Sequence, residues 1–196
     1  MTPTPESGGD PIDRSRYELI RAKHGLVPIV SVASKVRWCG LILLVAALAA
    51  PIVATLPDPV QQTYFPGAPT RTPLGAAAVV VLGEAFLPLA GVGLTALAVY
   101  RRRLTDISES QVWELVGAED ALTGFGFVTG ALGTAAGIGL LATGFAGVDR
   151  IEWLIAHGIT PYFPLAAYPT TPRVTTAVAL FGALLTLVLG VSVAEE

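Results

Sequence analysis

The chain has 196 residues and a formal charge of −3; 53% of the residues are hydrophobic and only 14% are charged. A soluble domain of this size carries about a quarter charged residues, so a water-soluble fold is excluded. Four long apolar runs use about 80 residues at roughly 20 per crossing, which leaves no room for a second globular core. The lone cysteine, Cys39, excludes an intrachain disulfide, and two histidines with one methionine argue against a soft-metal site.

Residues 1–35 read as a cytoplasmic segment and residues 36–196 as a four-helix transmembrane domain. Residues 1–10 are rich in Pro, Gly, Ser and Thr and are expected to be disordered. Asp10 before Pro11 predicts a helix start, with a short helix running to His24 and stopping at Gly25. Residues 26–34 are apolar but interrupted by Pro28, and are expected to lie along the inner interface. The apolar run begins only near residue 37, after a charged stretch, so the first span is expected to be a retained anchor and not a cleaved signal.

The first span is predicted over 37–56, with Trp38 at headgroup level and Pro51 as a kink. The second runs over 75–99 and ends in Tyr100 and Arg101 to Arg103. The inner loop, 104–121, carries a capping pattern at Asp106 and Glu109 and a short surface helix through Val112, Leu115 and Val116. The third span runs over 122–146, with Asp120 as its cap and Glu119 beside it in the positive end of the helix dipole. In the following loop, Asp149 and Glu152 are spaced as cap and N3 acid. Ile151, Leu154 and Ile155 share a face, so a surface helix is expected from about 150 to 157, ended by Gly158. The fourth span runs over 174–193.

Orientation follows from the basic residues. With the N-terminus inside, nine lie on the inner side: Arg14, Arg16, Arg21, Lys23, Lys35, Arg37 and Arg101 to Arg103. Three lie outside: Arg71, Arg150 and Arg173. Both termini are therefore expected in the cytoplasm, with the chain in the cell membrane.

The two outer loops end alike. One reads Tyr64-Phe65-Pro66 and the other Tyr162-Phe163-Pro164, 98 residues apart; Pro73 and Pro172 follow, and Gly83 and Gly182 fall at matching depth, 99 apart. The expected fold class is thus an all-α membrane protein of four transmembrane helices in two hairpins; the matched loop ends point to a parallel internal duplication, the alternative being a chance alignment of aromatic and proline residues that are common at interfaces. The paired aromatic segments read as interfacial anchors, with a shared outer vestibule as the alternative.

Two features could carry function. Gly126, Gly130, Gly133, Gly137 and Gly144 form a small-residue stripe on the third span. Glycine permits the close backbone approach that holds helices together in lipid. Such a stripe serves either packing within the chain or a dimer seam. Glu84 is the one ionisable residue well inside a span, roughly 4–5 Å from the midplane at 1.5 Å per residue. A charge there costs about 2.5–3.5 kcal/mol on insertion scales, so a neutral acid is expected. Pro88 and Pro51 each remove an amide hydrogen and free a carbonyl, at Glu84 and Ala47. With Thr95 on the same face as Glu84, a polar patch of Glu84, Pro88, Thr95 and Pro51 is expected, with the Glu84 carboxyl donating to a freed carbonyl. It is either a register-fixing acid or a proton or cation site.

His24 and His157 fall on opposite sides, so they share no site. Cys39 is read as a buried thiol, acylation being the alternative. No phosphate loop, zinc motif or nucleophile elbow occurs, and the basic clusters suit anionic lipid better than nucleic acid. No cofactor is implied, and a catalytic role is disfavoured. Two functions remain. The first is a structural or accessory subunit that packs against the bilayer and against other membrane proteins or itself. The second is a small-solute or ion transporter built on Glu84. Water-lining side chains are sparse: Glu84, Thr95, Thr129, Thr134, Thr143 and Thr186.

Overall fold

A computed structural model describes residues 19, 20, 22, 23, 30–104 and 108–194, the last two by backbone alone. The described residues form no strand. Residues 19, 20, 22 and 23 are helical; most of the helix predicted from Pro11 to His24, and Asp106, lie outside the described residues. The elements are α1 (Val32–Ala46), α2 (Ala49–Ala54), α3 (Asp58–Tyr64), α4 (Gly75–Arg103), α5 (Glu109–Ala121), α6 (Thr129–Ala142), α7 (Val148–Ala156) and α8 (Pro172–Ala194). Four helical stretches are long and apolar enough to cross a membrane: Val32–Ala54, Gly75–Arg103, Glu109–Ala146 and Pro172–Ser192. The chain is a multi-pass membrane protein, and these stretches are its spans one to four.

Span one starts five residues before the predicted 37, because the Ser31 side chain accepts from the Ser34 amide and caps the helix. Pro51 acts as expected on its own helix. The helix stops at Ala46, turns through Ala47 and Leu48, and resumes at Ala49. Thr176 of span four closes that break: its hydroxyl donates to the Ala47 carbonyl at 2.9 Å and accepts from the Ala50 amide at 3.0 Å.

Span three departs most from expectation. The predicted inner-loop helix and the span are one helix of 38 residues, 109–146, about 57 Å at 1.5 Å per residue. Nothing between Glu109 and Thr123 breaks it, so Asp120 is an interior residue and not a cap. The start is capped by Ser108 in a reciprocal pair with Gln111. A π-helical stretch, Leu122–Val128, joins α5 to α6.

The loop helices also differ from the predicted pattern. The chain from span one to span two carries α3, which the sequence reading lacked. Asp58 lies in its first turn and Pro59 at its second position, both favourable there. In the later loop α7 begins after Gly147, whose φ of +91° suits glycine. Asp149 therefore sits in the first turn rather than at the cap. The end matches expectation: Gly158 has φ +80°, and the amides of Gly158 and Ile159 bond to the Ile155 and Leu154 carbonyls in a Schellman arrangement.

Span two packs against all three others. The most extensive helix pairs are spans two with three and one with four, drawn from different hairpins of the sequence reading. Gly83 lies against Gly133 and Thr134 while Ala90 lies against Gly126, so spans two and three run antiparallel. Gly182 lies against Leu43 and Gly190 against Arg37, so spans four and one do the same. The later loop closes the start of span two. The amides of Leu74, Gly75 and Ala76, orphaned at a helix start, donate to the carbonyls of Thr170, Phe163 and Pro161 at 3.0, 2.7 and 3.0 Å.

Candidate functional sites

Glu84 sits inside α4, 1% exposed. Neither of its carboxyl oxygens has a hydrogen-bond partner, and the Thr134 hydroxyl on span three is likewise buried and unpartnered. The predicted polar patch is not assembled. The carbonyl freed by Pro51 is taken by Thr176, whose hydroxyl fits the gap at the helix break. Thr95 donates to the carbonyl of Gly91 in its own helix at 2.8 Å. Pro88 lies within the continuous helix α4, near Gly182. The expectation that Glu84 donates to a freed carbonyl is therefore corrected.

The glycine stripe lies against span two. A methyl carbon on Gly126 would meet the Ala90 side chain at 2.6 Å, on Gly130 the Leu87 side chain at 2.8 Å, on Gly133 the Gly83 backbone at 3.0 Å, and on Gly137 the Val80 side chain at 2.5 Å. Gly144, further along, makes room for the Tyr162 hydroxyl and Leu56.

At the far end of the bundle lies a feature that the sequence reading missed. Lys35 of α1 and Glu119 of α5, each 2% exposed, form an ion pair with Nζ 2.7 Å from Oε1. Lys35 also donates to the Thr123 hydroxyl at 3.2 Å, and that hydroxyl donates to the Glu119 carbonyl at 2.7 Å. The triad ties span one to span three where the π-helical stretch begins, a feature that often marks functional positions. A cavity of about 130 Å³ adjoins it, lined by Val30, Lys35, Trp38, Thr123 and Phe127. A usable hint existed. Leu115, Glu119 and Thr123 form an i, i+4 row, and Lys35 neighbours Val36 and Cys39 on the buried side of α1. Cys39 itself is buried beside Leu43 and Leu87.

The two Tyr-Phe-Pro segments meet at the opposite end. The ring centroids of Tyr64 and Tyr162 are 5.7 Å apart, Tyr64 and Phe163 6.4 Å, and Phe65 and Tyr162 5.7 Å. Tyr64, Tyr162 and Phe163 border a cleft of about 480 Å³ together with Thr63, Pro66, Thr72, Pro73 and Pro164. The Tyr162 hydroxyl donates to the Leu141 carbonyl at 2.6 Å. Burial pushes both tyrosine hydroxyls above the usual phenol value. The Glu152 charge adds to this at Tyr64, while hydrogen bonding partly offsets it at Tyr162. Among the described residues no cluster of His, Cys, Asp and Glu could hold a metal. Comparison with family models, curated proteins and solved structures found no match to this chain.

Proposed function

We propose that the chain is a non-catalytic membrane subunit, built from a duplicated hairpin, that packs against other membrane helices. The observation that carries this reading is the closure of the bundle's middle: the glycine stripe sets the third span directly on the second. Glu84 lines neither the cleft nor the cavity described above. Large apolar side chains of spans three and four, among them Phe125, Leu132, Phe181 and Leu184, face outward. With the glycines used inside the chain, a partner would meet these side chains and not the stripe.

The duplication gains support from the aromatic contacts. Under a two-fold axis along the bundle, Tyr64 exchanges with Tyr162 and Phe65 with Phe163. Tyr64–Phe163 and Phe65–Tyr162 are then the same contact twice, and both are edge-on, at 84° and 72°. The Thr175 hydroxyl reaches the Ala77 carbonyl at 3.4 Å across spans four and two, again 98 residues apart. Each half also carries one short loop helix, α3 or α7.

Both termini are placed in the cytoplasm on this reading. With Lys35 held by Glu119, eight inner basic residues remain against three. Cysteines at Gln61 and Ala156 should react with an impermeant label on intact cells, and one at Ser108 should not; labelling of Ser108 alone overturns the orientation.

A second reading, proton-coupled transport, rests on the unpartnered Glu84 and Thr134. Proteoliposomes separate the two. The subunit reading expects no gradient-driven proton movement and a native complex larger than the 20.3 kDa chain. Proton flux that is lost in Glu84→Gln would replace it with the transporter.

A further inference from the structure

The cavity beside Lys35 is small, and its walls differ in what they ask of an occupant. Its volume of about 130 Å³ is close to the roughly 150 Å³ that holds one benzene ring. Val30, Trp38 and Phe127 supply apolar surface, and Lys35 and Thr123 complete the lining. Thr123 and Phe127 both come from the π-helical stretch of span three.

The polar groups of this lining are donors in excess. An ammonium has three N–H donors and no acceptor. Lys35 spends one on Glu119 and one on Thr123. The third meets no acceptor among the described residues, although the side chain is only 2% exposed. The indole N–H of Trp38 is a donor only, and it too has no acceptor among the described residues. The Thr123 hydroxyl is used in both senses, accepting from Lys35 and donating to the Glu119 carbonyl. Glu119 also meets the Lys35 charge at 2.7 Å. The cavity therefore offers unspent donors on apolar walls.

Depth narrows the occupant further. Lys35 lies in the first turn of span one, and Trp38 follows at 52% exposure. An exposed indole at the end of a span belongs at headgroup level, where the ester links of glycerolipids join headgroup to hydrocarbon.

We propose that this cavity seats the ester linkage of a bilayer glycerolipid. The carbonyl oxygen accepts from the unspent Lys35 donor, and the first methylenes of the acyl chain lie on Val30 and Phe127. An ester carbonyl accepts without donating, carries no charge and is joined to an apolar chain, so it meets every demand of the walls. The inference does not depend on whether the chain is a subunit or a transporter.

The test uses the full chain in a sugar-headgroup detergent, which brings no ester of its own. Native mass spectrometry counts the lipids retained on titration with a diester phosphatidylcholine and with its diether analogue, equal in chains and headgroup. Melting in the same detergent reports folding. One diester molecule should bind about tenfold more tightly than the diether, the worth of one hydrogen bond from a charged donor. Trp38→Phe, at an exposed position, keeps a ring and should lower diester affinity by no more than about threefold without moving the melt. Lys35→Met with Glu119→Leu removes the donor without stranding a charge, so the preference for diester should vanish at a melt close to native. Should that variant melt early, the comparison on the native chain decides alone. Equal affinity for diester and diether, absence of a discrete bound lipid, or a diester preference that survives in the folded double variant would overturn the proposal. A phosphatidylglycerol diester bound about tenfold more tightly than the phosphatidylcholine would overturn it as well, since headgroup charge and not the ester would then select the lipid.

Discussion

Glu119 and Glu84 are equally hidden, at 2% and 1% exposure, yet Glu119 has an ammonium 2.7 Å away and Glu84 has no hydrogen-bond partner. The difference follows from position along the helices. Lys35 lies in the first turn of span one and Glu119 in the extended start of span three. Two charges can be brought together there without either crossing the apolar middle. At the depth of Glu84 no Lys or Arg is at hand, and an ionised carboxylate would stand alone in a medium of low dielectric. A paired charge fixes the register of two helices. An unpaired neutral acid instead carries a desolvation cost of about 1–3 kcal/mol with nothing visible in return. That cost is what makes Glu84 the better candidate for activity, and Lys35–Glu119 the better candidate for assembly.

The largest effect is expected at the pair. Glu119→Ala strands the Lys35 ammonium in the bundle and should cost about 3–5 kcal/mol, read as a fall in melting temperature in detergent. Replacing both residues with apolar side chains of similar size, Lys35→Met with Glu119→Leu, should recover most of the loss, because the stranded charge is gone. A double variant as unstable as the single one would show that the pair is needed for more than its mutual neutralisation.

Next in size is the contact that closes span three on span two. Gly133→Leu and Gly137→Leu should each cost about 1–3 kcal/mol or more, since the new side chain meets the Gly83 backbone at the first position and both the side chain and the backbone of Val80 at the second. Ile138→Leu, at a half-buried position, should cost under about 1.5 kcal/mol. Equal melts for all three would remove the close approach as the feature that seals Glu84 from water.

Much of this was legible beforehand because some physics has no second reading. Apolar runs of membrane length mark the spans. Pro51 must break its hydrogen-bond ladder, and Gly158 ends α7 where a positive φ is required. The charge pair was not legible, since Lys35 and Glu119 are 84 residues apart and meet only through the rotation of two helices. Lys35 in isolation reads as a topology signal, and Glu119 as a dipole partner. The partner of the Ala47 carbonyl was hidden for the same reason. Proline marks the freed group, but only packing shows that Thr176 reaches it before Glu84. Joining α5 to span three was missed because capping residues at 119 and 120 suggest a start, and nothing local reveals that the helix is already under way.

Thr176→Val tests that assignment at moderate cost. It removes both the donor to Ala47 and the acceptor for Ala50, so a loss of about 1–3 kcal/mol is expected. Combined with Glu84→Gln, the two effects should add to within about 0.5 kcal/mol, because the residues share no partner. A coupling energy above about 1 kcal/mol in that cycle would return Glu84 to the neighbourhood of the broken helix.

The smallest effects are expected at the lone acid itself, and they bear most directly on the comparison. Thr134 presents a buried hydroxyl with no partner, so Thr134→Val exchanges an unsatisfied polar atom for a methyl of nearly the same shape. The change should be neutral or stabilising by up to about 1 kcal/mol. Glu84→Gln keeps the volume and a donor, and should shift the melt by no more than a similar amount. Glu84→Lys introduces a cation with no carboxylate to meet it and should damage insertion, which gives a positive control for sensitivity at the site. If Thr134→Val instead destabilises by more than about 1 kcal/mol, its hydroxyl has a partner in the membrane, and the other buried group left unspent among the described residues is the Glu84 carboxyl, reached directly or through a buried water. Glu84 would then be a satisfied structural acid like Glu119, and the case for a proton site in the middle of the bundle would fall with the contrast that supports it.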